Sequence, residues 1–234
     1  MKLQSGSLTP ALTKIPLYLS ETYWWAYVHP RAIHLFERQW MVNLILWGNF
    51  GPLRDGALEA LGLDRQGSTL QVACVYGDLT AQLLKRSVSG SRLDVIDVLP
   101  LQLDNLARKL PPDPAANLIL CDSTAMSFES GSYDRALLFF LLHEQPEEVR
   151  RATIAQTLRV VRPGGRIVIV DYHRPRAFNP LYLPMAGVLH TLEPYAHDLW
   201  RHEITEWFPK DLKVAEVRKT TSFGGLYQML VITV

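Results

Sequence analysis

Residues Leu70 to Thr80, LQVACVYGDLT, form an apolar run that breaks at a glycine and passes into a helix-compatible stretch, the order of a strand, a tight turn and a helix start. A turn that holds a nucleotide cofactor usually follows a strand ending in an acid, with glycines at every second position after it. The matching positions here are Gln71, Ala73, Val75 and Gly77. Glycines let backbone amides come close to the cofactor and permit a positive φ. Only Gly77 keeps that freedom, so either the site has decayed or it holds its ligand differently.

From residue 67 onward strand and helix patterns alternate, which predicts a doubly wound, mostly parallel α/β sheet covered on both faces. Strands are expected at 69–75, 92–97, 117–121, 135–141 and 166–171, and helices at 78–87, 100–110 and 146–161, the last stopped by Pro163, Gly164 and Gly165. The tail LKVAEVRKTTSFGGLYQMLVITV reads as a terminal antiparallel hairpin turning at Gly224 and Gly225. Residues 1–66 read as an aromatic-rich helical cap before the domain at 67–234, with Pro30 opening a helix to about Trp47. The cap either packs on the core or forms an interfacial membrane patch. An apolar insert at about 174–208, with Pro180, Pro184 and Pro194, suits a lid over a greasy substrate, and core packing explains it almost as well.

With 234 residues, 48% hydrophobic and 20% charged, the chain is long enough for one large domain with a buried core. Its 24 basic and 23 acidic residues give a net charge of +1, no broad basic field, and so no nucleic acid as partner. Cys74 and Cys121 lie in apolar runs without a CxxC pairing and read as buried thiols of a reducing compartment. Neither a signal core nor a bilayer-length apolar stretch is present, which predicts a soluble or peripheral protein.

In an open α/β sheet the ligand sits beyond the carboxyl ends of the strands. Asp97 ends the second strand 97 − 77 = 20 residues after Gly77, the separation at which an acid meets a ribose hydroxyl, with a helix N-cap as the other reading. Val98 follows it, and Tyr76 precedes the glycine of the turn. Asp122 and Ser123 close the third strand, where they would recognise an adenine edge or simply make a turn. Carboxylate oxygens and imidazoles are the groups that hold a hard divalent metal ion. His143 and Glu144 end the fourth strand, Asp171 and His173 the fifth, and Asp78 follows the altered turn. Residues i and i+2 of an extended segment share a side, so His143, Asp171 and His173 are the expected metal ligands, against supporting or capping roles. His29, His34, His190, His197 and His202 read as packing or surface residues.

LDVIDVLP, LILCDSTAMSF, SYDRALLFFLLHE and LRVVRPGGRIVIVDYHRP, in that order, resemble the ribose-acid, adenine, fourth-strand and fifth-strand segments of the S-adenosylmethionine-dependent methyltransferases over roughly 67–234. LRVVRPGG is especially similar to the quinone C-methyltransferases of ubiquinone and menaquinone synthesis. ETYWWAYVHPRAIHLFERQW together with VACVYGDLT resembles the rhodoquinone biosynthesis proteins over most of the chain. That second resemblance implies that a methoxy group of ubiquinone is exchanged for an amino group, with S-adenosylmethionine as amino donor and Mn2+ required. It also implies an isoprenoid quinone substrate and a membrane surface as partner, with the protein peripheral on the cytoplasmic face of the inner membrane. In methyltransferases the acid at the Gln71 position helps hold the methionine ammonium. A neutral Gln71 would leave that amine able to deprotonate and attack the ring, with His143 as a catalytic neighbour and the metal polarising a quinone carbonyl. Val75 would push the methionine arm aside, or merely widen the pocket. Three classes stand open at this point: an amino-transferring quinone enzyme, a conventional quinone methyltransferase, and a non-catalytic membrane-associated protein of nucleotide fold.

Overall fold

The computed structural model describes residues 15–23, 37–112, 116–211 and 214–234. Seven strands form one sheet: β1 Ser68–Val72, β2 Arg92–Asp97, β3 Ala116–Leu120, β4 Tyr133–Phe139, β5 Val161–Tyr172, β6 Glu216–Ser222 and β7 Tyr227–Thr233. Their order is β3-β2-β1-β4-β5-β7-β6; the first five run parallel, and β7 is antiparallel to both β5 and β6. The expected doubly wound sheet with a terminal hairpin is therefore present. Strand order reverses between β1 and β4, which opens a crevice beyond their carboxyl ends. Leu70, Val95, Ala136, Leu137, Val168 and Val170 are fully buried in the sheet, and each larger side chain among them contributes about 1.5–3 kcal/mol on leaving water.

Eight α-helices are described: α1 Leu17–Glu21, α2 Gln39–Ile45, α3 Phe50–Leu61, α4 Leu79–Arg86, α5 Pro100–Lys109, α6 Glu147–Val160, α7 Tyr182–Leu192 and α8 Asp198–Arg201. Pro100 stands in the first turn of α5, where its missing N–H costs nothing. The helix expected from Pro30 falls partly on residues 24–36, outside the described residues. Its described piece, α2, stops before Trp47, which takes φ +51° and is followed by Gly48 at φ +78°. Helix α3 was not foreseen. Its Phe50 is fully buried and meets Phe139 edge-on at 5.9 Å, and Gly62 ends it at φ +68°. Of the two thiols, Cys121 is buried and Cys74 half-buried. Among the described residues no helix is long and apolar enough to cross a membrane.

Two boundaries differ from expectation for backbone reasons. Strand β1 stops at Val72 because Ala73 turns to φ +74°. Strand β5 begins at Val161, directly after α6, and includes the Pro-Gly-Gly segment that was expected to lie between the two. A bulge absorbs the extra residues: Tyr133 pairs with Val161, and Arg135 then pairs with Arg166. Gly165 is packed inside that bulge. A Cβ there would lie 2.6 Å from Val161 Cγ1 and 2.8 Å from the carbonyl oxygens of Arg162 and Asp134. Gly165→Ala is expected to destabilise the protein by about 1–3 kcal/mol, read as a fall in denaturant midpoint; an unchanged midpoint would show that the bulge yields freely.

Candidate active site

A cavity of about 1110 Å³ lies beyond the carboxyl ends of β1, β2, β4 and β5. Aromatic and aliphatic side chains, among them Phe50, Phe139, Phe140 and Met185, line most of it. Two polar poles interrupt this lining.

The first pole is built by β1, β2 and β3. Asp97 is 8% exposed; its Oδ2 accepts from the Cys74 N–H and its Oδ1 from the Leu99 N–H, both at 2.8 Å. Burial pushes its carboxyl up to about 6, with the backbone donors of Leu99 and Cys74 pulling the other way. The N-cap of α5 is Leu99 and not Asp97, so the acid is set toward the cavity and the turn. Asp122 Oδ1 accepts from the N–H and the hydroxyl of Thr124, both at 2.8 Å, which makes it a turn residue that also lines the cavity. Ser123 Oγ is 2.7 Å from Thr153 Oγ1. Ala73, Val75, Tyr76 and Val98 line the same pole, and the Tyr76 hydroxyl accepts from Gln102 Nε2 at 3.0 Å. A buried carboxylate on β2 beside an apolar wall, with Asp122 and Ser123 opposite, fits the hydroxyls and the base of an adenosine cofactor.

Gln71 and Gly77 stand elsewhere than expected; neither lines the cavity. Gln71 is buried, donates to the Ala73 carbonyl at 3.0 Å and accepts from Thr80 Oγ1 at 2.9 Å, so its amide is spent inside the turn. The Gly77 N–H donates to Glu37 Oε1 at 3.1 Å. Lys109 Nζ donates to that same oxygen at 2.7 Å and to the Gly77 carbonyl at 2.9 Å, while Asn105 Nδ2 donates to Glu37 Oε2 at 2.6 Å. Side chains from residue 37 and from α5 thus brace the turn. Sequence reasoning missed this clamp, and no local pattern signals it, because its parts lie 32 to 72 residues apart.

Ala73 occupies a glycine position in the left-handed region. For an alanine this costs about 1–2 kcal/mol, more than the entropic cost of about 0.5–1 kcal/mol that glycine itself brings. Ala73→Gly is therefore expected to raise the melting temperature slightly. A clear fall would show that the Cβ is held by its surroundings.

The second pole follows β4 and β5. His143 sits in the short 3-10 turn Leu142–Glu144, with Nδ1 2.9 Å from Asp171 Oδ1. Asp171 is fully buried and also accepts from the N–H groups of Leu142 at 2.8 Å, His143 at 3.3 Å and Tyr172 at 2.8 Å. A carboxylate in that setting only accepts, so the imidazole carries its proton on Nδ1 and leaves Nε2 as the base. Burial works against a charged His143, but the charge and hydrogen bond of Asp171, helped by Glu193 and Glu144, outweigh it and push the imidazole up to about 9. Glu144 Oε1 is 3.7 Å from Nε2. Glu193, from the segment after α7, also lines the cavity; burial pushes its carboxyl up, against the pull of His143 and of a hydrogen bond with Tyr23.

His173 points away from this pair. Its Nδ1 is 2.8 Å from the Gly225 carbonyl, and Lys219 Nζ donates to its Nε2 at 3.0 Å. The expectation that His143, Asp171 and His173 hold one manganese ion is corrected accordingly: four donors already surround Asp171, His143 Nδ1 is used on it, and an ammonium sits on His173. Among the described residues no three His, Cys, Asp or Glu side chains are grouped to hold a metal.

Residues 69–165 match the family model of a methyltransferase domain. The chain is 29% identical over 147 residues to a 2-phytyl-1,4-naphtoquinone methyltransferase of Nostoc punctiforme, covering 57% of this chain and 63% of that one. It is 27% identical over 183 residues to a demethylmenaquinone methyltransferase of Beutenbergia cavernae, covering 74% and 72%. Human N-acetylserotonin methyltransferase in complex with S-adenosylmethionine superposes with a TM-score of 0.62 at 13% identity, covering 92% of this chain and 61% of that one. The fold is that of the class I S-adenosylmethionine-dependent methyltransferases. Both of these sequence relatives carry the name of a quinone methyltransferase, and the chain spans less than two thirds of the first of them.

Proposed function

We propose that the chain is a S-adenosylmethionine-dependent enzyme whose acceptor is the ring of an isoprenoid quinone in its reduced, quinol form, and that the group transferred is methyl. The observation that carries this reading is a single, mostly apolar cavity with an adenosine-type pole at Asp97 and Asp122 and an imidazole–carboxylate pair, His143–Asp171, at the other end. The names of the sequence relatives support the quinone. When bound, S-adenosylmethionine supplies an electrophilic methyl group. The chain does the rest: Asp97, Asp122 and Ser123 hold the nucleoside, the Phe139 and Phe140 wall excludes water, and His143 Nε2 takes the proton that the ring sheds. Leu44 of α2 and Leu192 of α7 are exposed and line the cavity, and support delivery of the quinone from a membrane surface, here the cytoplasmic face of the inner membrane.

A second reading, replacement of a methoxy group by the cofactor's amino group, is favoured by one observation. Within the turn no carboxylate takes the usual acid's place, since Gln71 is neutral and its amide is turned inward. Manganese is given no role in either reading, because no donor set among the described residues fits it.

Both readings are tested by incubating the protein with S-adenosylmethionine carrying deuterium in its methyl group and heavy nitrogen in its amine, together with a short-tailed demethylated quinol kept reduced by dithionite and, separately, a short-tailed methoxylated quinone. A deuterated ring supports methyl transfer. Heavy nitrogen in place of methoxy supports the second reading, and an unchanged quinone sinks both in favour of a non-catalytic protein.

A further inference from the structure

Arg150, on α6, is among the largest fully buried side chains of the protein and is 0% exposed. A guanidinium keeps its charge, so burial is tolerated only where acceptors surround it. Its Nε donates to the Leu142 carbonyl at 2.9 Å, and its Nη2 to the carbonyls of Gln145 at 2.8 Å and Tyr195 at 2.9 Å. Nη1 lies 3.3 Å from Asp198 Oδ2, and Cζ sits 4.2 Å from the centre of the Trp207 ring. These partners belong to two separate walls of the cavity. Leu142 and Gln145 flank His143 and Glu144, whereas Tyr195, Asp198 and Trp207 belong to the segment that carries Glu193. The planar fork of one cation therefore spans the gap between the proton-handling turn and the wall opposite it.

We propose that Arg150 is a positioning residue that fixes the His143 turn against the Glu193 wall and so sets the spacing of the groups that face the acceptor ring. It touches neither cofactor nor ring. The groups facing His143 from the elements around it are Asp171 and Tyr172 of β5, Glu144 of its own turn and Glu193 of the opposite wall, with the Tyr23 hydroxyl beside Glu193. Moving the two walls apart changes all of these distances together.

The test is Arg150→Lys in the full chain, which keeps the charge and loses the fork. This inference rests on the quinone reading for its kinetic arm alone. Hydrogen exchange and the histidine NMR titration need no turnover, so failure of one is distinguishable from failure of the other. The expected result is faster exchange of the amides of 142–145 and 193–199 together, and a His143 titration midpoint that moves toward the ordinary histidine value. With a short-tailed quinone, kcat should fall at least about tenfold and the quinone KM should rise, while S-adenosylmethionine affinity stays within about twofold. Faster exchange confined to α6, with the titration unmoved, overturns the proposal. Should Arg150→Lys fail to fold, Asp198→Asn loosens one contact of the same fork; it is expected to speed exchange at 193–199 and raise the quinone KM, and no change in either overturns the proposal as well.

Discussion

Replacing His143 by Asn lowers turnover on the quinone by about two to four orders of magnitude, the range that a positioned general base contributes, and leaves S-adenosylmethionine affinity nearly unchanged. Asn is the informative substitution because its amide still offers an N–H to Asp171, so the buried carboxylate is not stripped of its partner. The wild-type pH profile sharpens the expectation. His143 acts as a base only when neutral, and Asp171 holds its ring up to about 9, so kcat should rise with pH toward that value and the rise should vanish in the variant. Stability runs the other way. The folded value lies above the unfolded value of about 6.5, so the pair's stabilisation is fully present below about pH 6.5 and is lost as pH rises through about 9, at up to about 1.4 kcal/mol per pH unit. Wild-type melting temperature should therefore fall across that window relative to His143→Asn. Equal turnover in the two proteins would remove His143 from the chemistry.

Asp97→Ala carries the second large effect, and it falls on the cofactor. The Asp97 carboxylate has two tasks, holding the Cys74 and Leu99 amides and presenting its remaining lone pairs to the cavity. A hydrogen bond to a charged acceptor contributes about 1.5–3 kcal/mol; losing two to a ribose raises the dissociation constant for S-adenosylmethionine at least about a hundredfold. Two buried N–H groups also lose their acceptor, at about 1–3 kcal/mol each, so the melting temperature drops as well. Asp97→Asn, which retains an acceptor oxygen, separates the two tasks: it should recover much of the stability and less of the affinity. Calorimetric titration measures both variants, and affinities within twofold of wild type would show that the nucleoside is held elsewhere.

The positions of Asp97, Asp122 and His143 were legible in the sequence because each ends a parallel strand or follows it within a few residues, and strand ends in such a sheet converge on one crevice whatever the side chains between them. Side-chain direction was not legible in the same way. Gln71 lies on the strand where the acid is expected, but Thr80 on α4 and the left-handed turn at Ala73 capture its amide. His173 shares the alternation of Asp171 on paper. The pairing of β5 with β7 ends at Tyr172, and His173 then bonds the hairpin turn at Gly225 and Lys219 of β6. The early start of β5 depended on a bulge fixed by Gly165 packing against Val161, Arg162 and Asp134. Glu37 and Lys109, and Arg150 toward Tyr195 and Asp198, act across long sequence separations, where no periodicity connects a residue to its partner.

All of this depends on whether LQVACVYGDLT, short of its glycines and its acid, still belongs to a working cofactor site. Direct titration of the unaltered chain with S-adenosylmethionine decides it. Saturable binding with one site per chain is the expected result, since Asp97, Asp122 and the braced turn are all in place; no binding at any reachable concentration would contradict it and make the turn a relic.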